Sequence, residues 1–442
     1  MLCASLLISD ISFKHINKLA IPALISGISE PILSLTDAAI VGNITVNATE
    51  ALAAVGIVST FLSMLIWVLG QTRSAISSIV SQYLGADQLD KIKNLPAQAI
   101  FIITSISIFI ILFTYPFASS IFKLYNASNV ILDYSVLYYK IRVFGFPFTL
   151  FTMAVFGAFR GLQNTYYPMI IAILGTLINI VLDVILVYGI DGFIEPMNIA
   201  GAAYASVFSQ FIMALCSAYF LLKKTAIPLK ISFPFNKEIK RFVFMILNLF
   251  VRTIALNVTL YFASSFATSY GAEYIAAYTI AINLWFLGAF IIDGYASAGN
   301  ILSGKFFGAK AYNLLIQLSN QLIKYGIIVG IITAIIGAVF YVPIGHVFTS
   351  DPKVLIAFYD IFWMVLLMQP FCALAFIFDG MFKGLGKMKF LRNVLLFSTF
   401  IVFVPLLFWN QHLSVLIPED FQEELFPFVI PLIFLRMLYR HE

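Results

Sequence analysis

Two aspartates stand where a charge is expensive to keep. Asp37 and Asp183 each lie inside a long apolar stretch, five and six residues before the glycine that ends it, Gly42 and Gly189. A carboxylate at the centre of a bilayer costs ~2.5–3.5 kcal/mol even on insertion scales. At ~1.5 Å per residue both acids sit ~8–10 Å below one end of their helices, the equal depth that a shared site requires. Asn179 precedes Asp183 by four residues and shares its helix face, and Glu30 shares a face with Asp37 seven residues later. Two carboxylates brought together in low dielectric cannot both stay ionised cheaply, so one holds a proton or both share a cation. The chemistry open to these residues is reversible capture of H⁺ or Na⁺, with Asp37, Asn179 and Asp183 as oxygen ligands in the Na⁺ case. Competition between that ion and a cationic substrate would couple their movements. Either acid could instead simply accept hydrogen bonds from a neighbouring helix.

Other chemistries find little support. Cys3, Cys216 and Cys372 are widely spaced, and His15, His346, His412 and His441 lie far apart, which gives neither a disulfide framework nor a structural metal site. H-E-x-x-H, G-x-S-x-G and Walker-loop motifs are absent from the sequence, and no extramembrane segment is long enough for an ATPase. The reading is therefore not an enzyme, and it calls for no cofactor beyond a coupling ion.

The elements that hold such acids must be membrane helices. Apolar residues make up 61% of the 442, aromatics 16% and charged residues 11%, and the mean hydropathy is +0.98. That composition describes a polytopic membrane protein. Twelve stretches reach the length an α-helix needs to cross ~30 Å of hydrocarbon. They run over 15–42, 50–84, 95–122, 130–160, 166–189, 199–222, 241–269, 273–305, 312–346, 354–385, 390–410 and 422–440. The N-terminal run MLCASLLISDISFKH is broken by Asp10 too early for a cleaved signal peptide, so the first helix is expected to be retained.

Alternating the loops places nineteen of the 26 Lys and Arg on the side of the N-terminus. Lys123 and Lys353 fall opposite, and Arg73, Lys140, Arg142, Arg252 and Lys324 lie within spans. By the positive-inside rule both termini are cytoplasmic. The net charge of +5 thus reflects topology and predicts no nucleic-acid surface.

A shift of 223 residues superimposes distant parts of the chain without a gap. Ala53-Ala54 falls on Ala276-Ala277, Gly85-Ala86 on Gly308-Ala309, Pro147-Phe148 on Pro370-Phe371, and Phe159-Arg160-Gly161-Leu162 on Phe382-Lys383-Gly384-Leu385. The expected fold is all-α and integral to the membrane, with twelve transmembrane helices in two pseudo-symmetric six-helix lobes. The lobes are 1–224, carrying the cation site, and 241–442, joined by a cytoplasmic linker at 225–240. At the 223 offset Asp37 and Asp183 meet Leu260 and Leu406, so ion coupling is expected in the first lobe alone.

Four segments carry a family resemblance: LAIPALISGISEPILSLTDAAIVG, FGAFRGLQNTYYPM with INIVLD, AFIIDGYASAGNILSGKFFGAK and AFIFDGMFKGLGKMKFLRN. They resemble the multidrug and toxic compound extrusion (MATE) family, most closely its DinF-like bacterial branch. The resemblance implies a twelve-helix, two-lobed antiporter of the bacterial cytoplasmic membrane that exports small organic compounds by alternating access in exchange for H⁺ or Na⁺. It expects a monomer whose partners are substrate, coupling cation and lipid. It assigns the cation site to Asp37, Asn179 and Asp183, with Ser206 of GAAYAS in place of a threonine. Glu30 departs from the uncharged amide common in that branch. Pro22 and Pro31 lie in the first helix, where missing N–H groups permit a bend that could act as a gate. Asp293 and Asp379 are the motif acids of the second lobe, and Arg252 is a basic residue well inside a span there. Asp379 is four residues from Lys383, a spacing suited to an ion pair, so these three are secondary candidates. The rival reading, a lipid or lipid-linked saccharide flippase of the same superfamily, would need a strongly basic central cavity.

Overall fold

The computed structural model describes residues 12–44 and 47–408, with only the backbone of Glu30. Its helices are α1 (Phe13–Val41), α2 (Ala48–Leu69), α3 (Thr72–Gly85), α4 (Leu95–Thr114), α5 (Ala118–Leu124), α6 (Asn129–Arg142), α7 (Phe146–Gly161) and α8 (Tyr166–Tyr188). The chain continues through α9 (Asn198–Lys224), α10 (Ile239–Ser269), α11 (Ala272–Gly308), α12 (Tyr312–Val339), α13 (Tyr341–Phe348), α14 (Pro352–Gly384) and α15 (Met388–Phe397). Eleven helical stretches among the described residues are long and apolar enough to cross a membrane. They match the first eleven predicted spans, and the twelfth, 422–440, lies outside the described residues. The fold is all-α and membrane-spanning.

Two predicted spans are too long, and each breaks ahead of a proline. The stretch 95–122 breaks after Thr114, just before Pro116, and resumes as α5; 312–346 breaks at Phe340, three residues before Pro343, and resumes as α13. Proline removes an N–H and crowds the preceding turn. Two further spans are interrupted part-way along. Gly70 and Gln71 separate α2 from α3, and a 3₁₀ turn at Val143–Gly145, ahead of Pro147, separates α6 from α7. By contrast α1 runs unbroken through Pro22 and Pro31.

The repeat is visible in the helix ends. α11 ends at Gly308, 223 residues after Gly85, and α14 starts at Pro352 and ends at Gly384, 223 after Asn129 and Gly161. The packing repeats as well. A Cβ on Gly157 of α7 would lie 2.6 Å from the Arg73 carbonyl oxygen of α3. One on Gly380 of α14 would overlap the Ala296 carbonyl oxygen of α11, 223 residues on in both partners.

The chain forms two compact units. One comprises Lys18–Ile246 with Gly304–Lys310; the other comprises Leu247–Ser303 with the described parts of Met1–Asn17 and Ala311–Glu442. In the first, α8 packs on α9, α3 on α7 and α2 on α6. Val58, Phe122, Tyr138, Tyr139 and Val187 belong to its buried core. The 225–240 segment expected as a linker is docked on this unit. Gln98 Nε2 donates to the Ser232 carbonyl (2.7 Å), and the Asn236 backbone N–H donates back to Gln98 Oε1 (2.9 Å). In the second unit α12 packs on α14, over a core that includes Trp285, Phe358, Ile361, Phe362 and Val365.

Burial on α8 shows how a membrane helix is read inside out. Leu177 and Val181 are 55% and 56% exposed, whereas Asn179 and Asp183 are fully buried. Lipid takes the apolar face and the protein interior takes the acid.

Candidate functional site

Three helices of the first unit each present two polar side chains four residues apart, and so on one face. They are Tyr138 and Arg142 on α6, Asn179 and Asp183 on α8, and Ser206 and Gln210 on α9. Asp37 of α1 meets them, only 1% exposed. The Tyr138 hydroxyl and the Ser206 hydroxyl both donate to Asp37 Oδ2, each at 2.8 Å. Asn179 Nδ2 donates to Ser206 Oγ at 3.3 Å, and Arg142 Nε lies 4.0 Å from Asp37 Oδ2. Arg142 Nη1 in turn donates to Gln210 Oε1 at 2.9 Å.

One side of this nest is saturated with donors and the other has none. Asp37 Oδ1, Asn179 Oδ1 and both carboxylate oxygens of Asp183 are buried without a hydrogen-bond donor, and the Asp183 carboxyl lies within interaction range of that of Asp37. Unpaired buried acceptors are strongly disfavoured. A proton between the two carboxyls, or a small cation held by their oxygens, satisfies them, so the donor set fits either ion.

The structure therefore brings Asp37, Asn179, Asp183 and Ser206 into one cluster. The side chain of Glu30 lies outside the described residues. Asp379 sits instead in an ion-pair cluster of the second unit, 2.7 Å from Arg252 Nη2 and 2.7 Å from Lys383 Nζ. Asp293 is half-buried on α11. Tyr138, Arg142 and Gln210 are site neighbours that sequence reasoning missed. Arg142 was visible as a cation within a span, but nothing in the sequence linked it to Asp37. Tyr138 is one of 21 tyrosines, and Gln210 shows only as a polar residue four positions after Ser206. Beside the nest lies a small cavity bordered by Ser26, Arg73, Thr149 and Gln210 together with the apolar Met153, Phe156 and Met213, with room for about two waters.

The MatE family model matches residues 22–185 and again 248–409, once in each half of the repeat. The chain belongs to the MatE family of membrane transporters. Among MatE relatives, DNA damage-inducible protein F of Escherichia coli is 25% identical over 89% of this chain and 84% of its own length. Protein DETOXIFICATION 42 of Arabidopsis thaliana is 28% identical over 62% of this chain and 52% of its own. The chain thus spans about half the length of that plant relative. The Vibrio cholerae MATE transporter VcmN, in its bent form, superimposes with a TM-score of 0.85 at 17% identity, over 96% of this chain and 94% of that one. This likeness extends to the fold.

Proposed function

We propose that the protein is a cation-coupled antiporter that exports organic cations or other amphiphilic compounds, with Asp37 and Asp183 as the coupling pair. The observation that supports this reading is the buried, donor-free set of oxygens shared by the two acids across α1 and α8. Ion binding there neutralises the nest, and ion release restores its charge. Asn179 and Ser206 orient Asp37 through the chain from Asn179 Nδ2 to Ser206 Oγ to Asp37 Oδ2. Pro22 and Pro31, which lack the N–H groups that would tie α1 to its preceding turns, leave that helix free to respond. The protein works as a monomer in the bacterial cytoplasmic membrane, with both termini on the cytoplasmic face.

Export of ethidium from proteoliposomes under separately imposed pH and Na⁺ gradients tests the reading, with a cysteine at Lys230 labelled by an impermeant reagent to fix orientation. Asp37→Asn and Asp183→Asn should each reduce gradient-driven export to background while folding normally, because the amide keeps the volume and removes the exchangeable charge. The double variant should be no worse than either single one, since the acids act as one unit. Gradient-dependent export at the wild-type rate by either single variant would sink the assignment.

A further inference from the structure

Asp37 and Asp183 bring two negative charges to the nest, and one positive charge is already there. Arg142 is 9% exposed, and its guanidinium is held from two sides, by Asp37 Oδ2 at 4.0 Å and by Gln210 Oε1 at 2.9 Å. It also acts electrostatically on Asp183. The backbone is shaped for this placement. Gly145, in the 3₁₀ turn just after α6, lies so close to Gln210 Oε1 that a Cβ there would overlap it. A side chain at position 145 would push Gln210 away from Arg142. The charged and titratable groups at this point are Asp37 from α1, Tyr138 and Arg142 from α6 and Asp183 from α8, while α9 contributes the neutral Ser206 and Gln210.

An arginine keeps its proton under all physiological conditions, so its charge is not exchangeable. With it in place, two carboxylates leave a single uncompensated charge. A proton cancels that charge by becoming part of a carboxyl, without adding an ion to the nest. Na⁺ would instead bring a second full cation beside a guanidinium in a site of low dielectric, where like charges repel strongly. The guanidinium also engages the side of Asp37 already taken by Tyr138 and Ser206, leaving the donor-free oxygens facing Asp183 for the exchanging ion.

We propose that Arg142 is a resident counter-cation that determines ion specificity, limiting the site to one exchangeable charge and excluding Na⁺. This rests on Asp37 and Asp183 being the coupling site. Saturable binding of ²²Na⁺ to purified protein in detergent, at fixed pH and with choline holding ionic strength constant, reads the role directly and needs no transported substrate. Wild type and Arg142→Lys should show no saturable binding, whereas Arg142→Gln should gain it. Asp183→Asn placed on Arg142→Gln should remove the gain. Saturable ²²Na⁺ binding by wild type or by Arg142→Lys overturns the proposal even if Arg142→Gln fails to fold, and so does a folded Arg142→Gln that gains none. In either case the export results for Asp37→Asn and Asp183→Asn still stand on their own. A gain that Asp183→Asn leaves intact would instead move the ion away from the acid pair and overturn the site itself.

Discussion

The two halves of the chain share a backbone register and carry opposite chemistry in it. Tyr138, Arg142, Asn179, Asp183 and Asp37 of the first half correspond at the 223 offset to Ile361, Val365, Val402, Leu406 and Leu260 of the second. What is a nest of charges in one half is apolar in the other, and Ile361 and Val365 belong there to the buried core. The converse holds elsewhere. Asp379, Arg252 and Lys383 form a compact ion cluster in the second half, where the first has Phe156, Ser29 and Arg160. Arg160 Nη2 bonds instead to the Ala23 carbonyl (3.2 Å) and Ser26 Oγ (3.0 Å). The repeat therefore supplies a scaffold, and each half has placed its buried acids at different positions on it. Asp379 lies 2.7 Å from each of two cations, although its Oδ1 also accepts no hydrogen bond, whereas the ion pair in the nest is 4.0 Å long and both oxygens of Asp183 are unpaired. Closeness of cations separates the structural cluster from the site of exchange.

The largest effect that tests this distinction comes from making one substitution in both halves. Asp379 has two cations at 2.7 Å and is mostly buried. Asp379→Asn would strand Arg252 and Lys383 and should lower stability by about 3–5 kcal/mol. Asp183→Asn removes a buried charge that no donor stabilises, so its stability should be unchanged or raised. Thermal unfolding in detergent, followed by the loss of the monodisperse peak, gives both signs. Asp379→Asn protein that still folds should retain ion-dependent export, as should Asp293→Asn. If Asp183→Asn proves as destabilising as Asp379→Asn, the acid pair is structural and the contrast between the halves fails.

Much of the scaffold is legible in the sequence because lipid enforces simple rules. Length and apolarity locate nine of the eleven described spans to within a few residues, the exceptions being 95–122 and 312–346, since an unsatisfied backbone is intolerable in hydrocarbon. The depth argument for Asp37 and Asp183 works for the same reason: charge in a membrane is rare enough to carry information. Tyr138, Arg142 and Gln210 escape because their partners come from other helices, and helix-to-helix register is a tertiary property. The docking of 225–240 is hidden likewise, resting on Gln98, an ordinary polar residue near the start of α4. Proline alone does not mark the breaks before Pro116 and Pro343, because α1 continues through Pro22 and Pro31 and α14 through Pro370.

A smaller effect tests whether the shared register is also shared packing. Gly157 and Gly380 are equivalent, and each brings its helix against a backbone carbonyl, that of Arg73 or of Ala296. Backbone cannot swing aside as a side-chain tip can. Gly157→Ala and Gly380→Ala should each destabilise by about 1–3 kcal/mol through overpacking. Gly380→Ala should have the larger effect, because its added methyl meets the closer oxygen. Ion dependence of export should survive in both. Loss of stability at one position alone would show that the halves share their helix ends without sharing their packing.

The smallest effect lies in the two donors on Asp37. The Tyr138 and Ser206 hydroxyls bond the same oxygen, Oδ2, at the same 2.8 Å, so each partly covers for the other. Tyr138→Phe and Ser206→Ala should each cost about 0.5–1.5 kcal/mol of orientation, or roughly a two- to tenfold loss in export rate. The double variant should fall short of additivity if either donor holds the carboxylate when the other is gone, whereas independent roles would add to within about 0.5 kcal/mol. Ser206→Thr keeps the hydroxyl and should export at close to the wild-type rate. Ile361, which takes the place of Tyr138 in the second half, provides the control. Ile361→Val removes a buried methylene for about 0.5–1.5 kcal/mol of stability and touches no charge, so it should leave ion dependence as it was. A change in ion dependence with Ile361→Val would mean that the apolar half contributes to the exchange, and the division of labour between the halves would have to be given up.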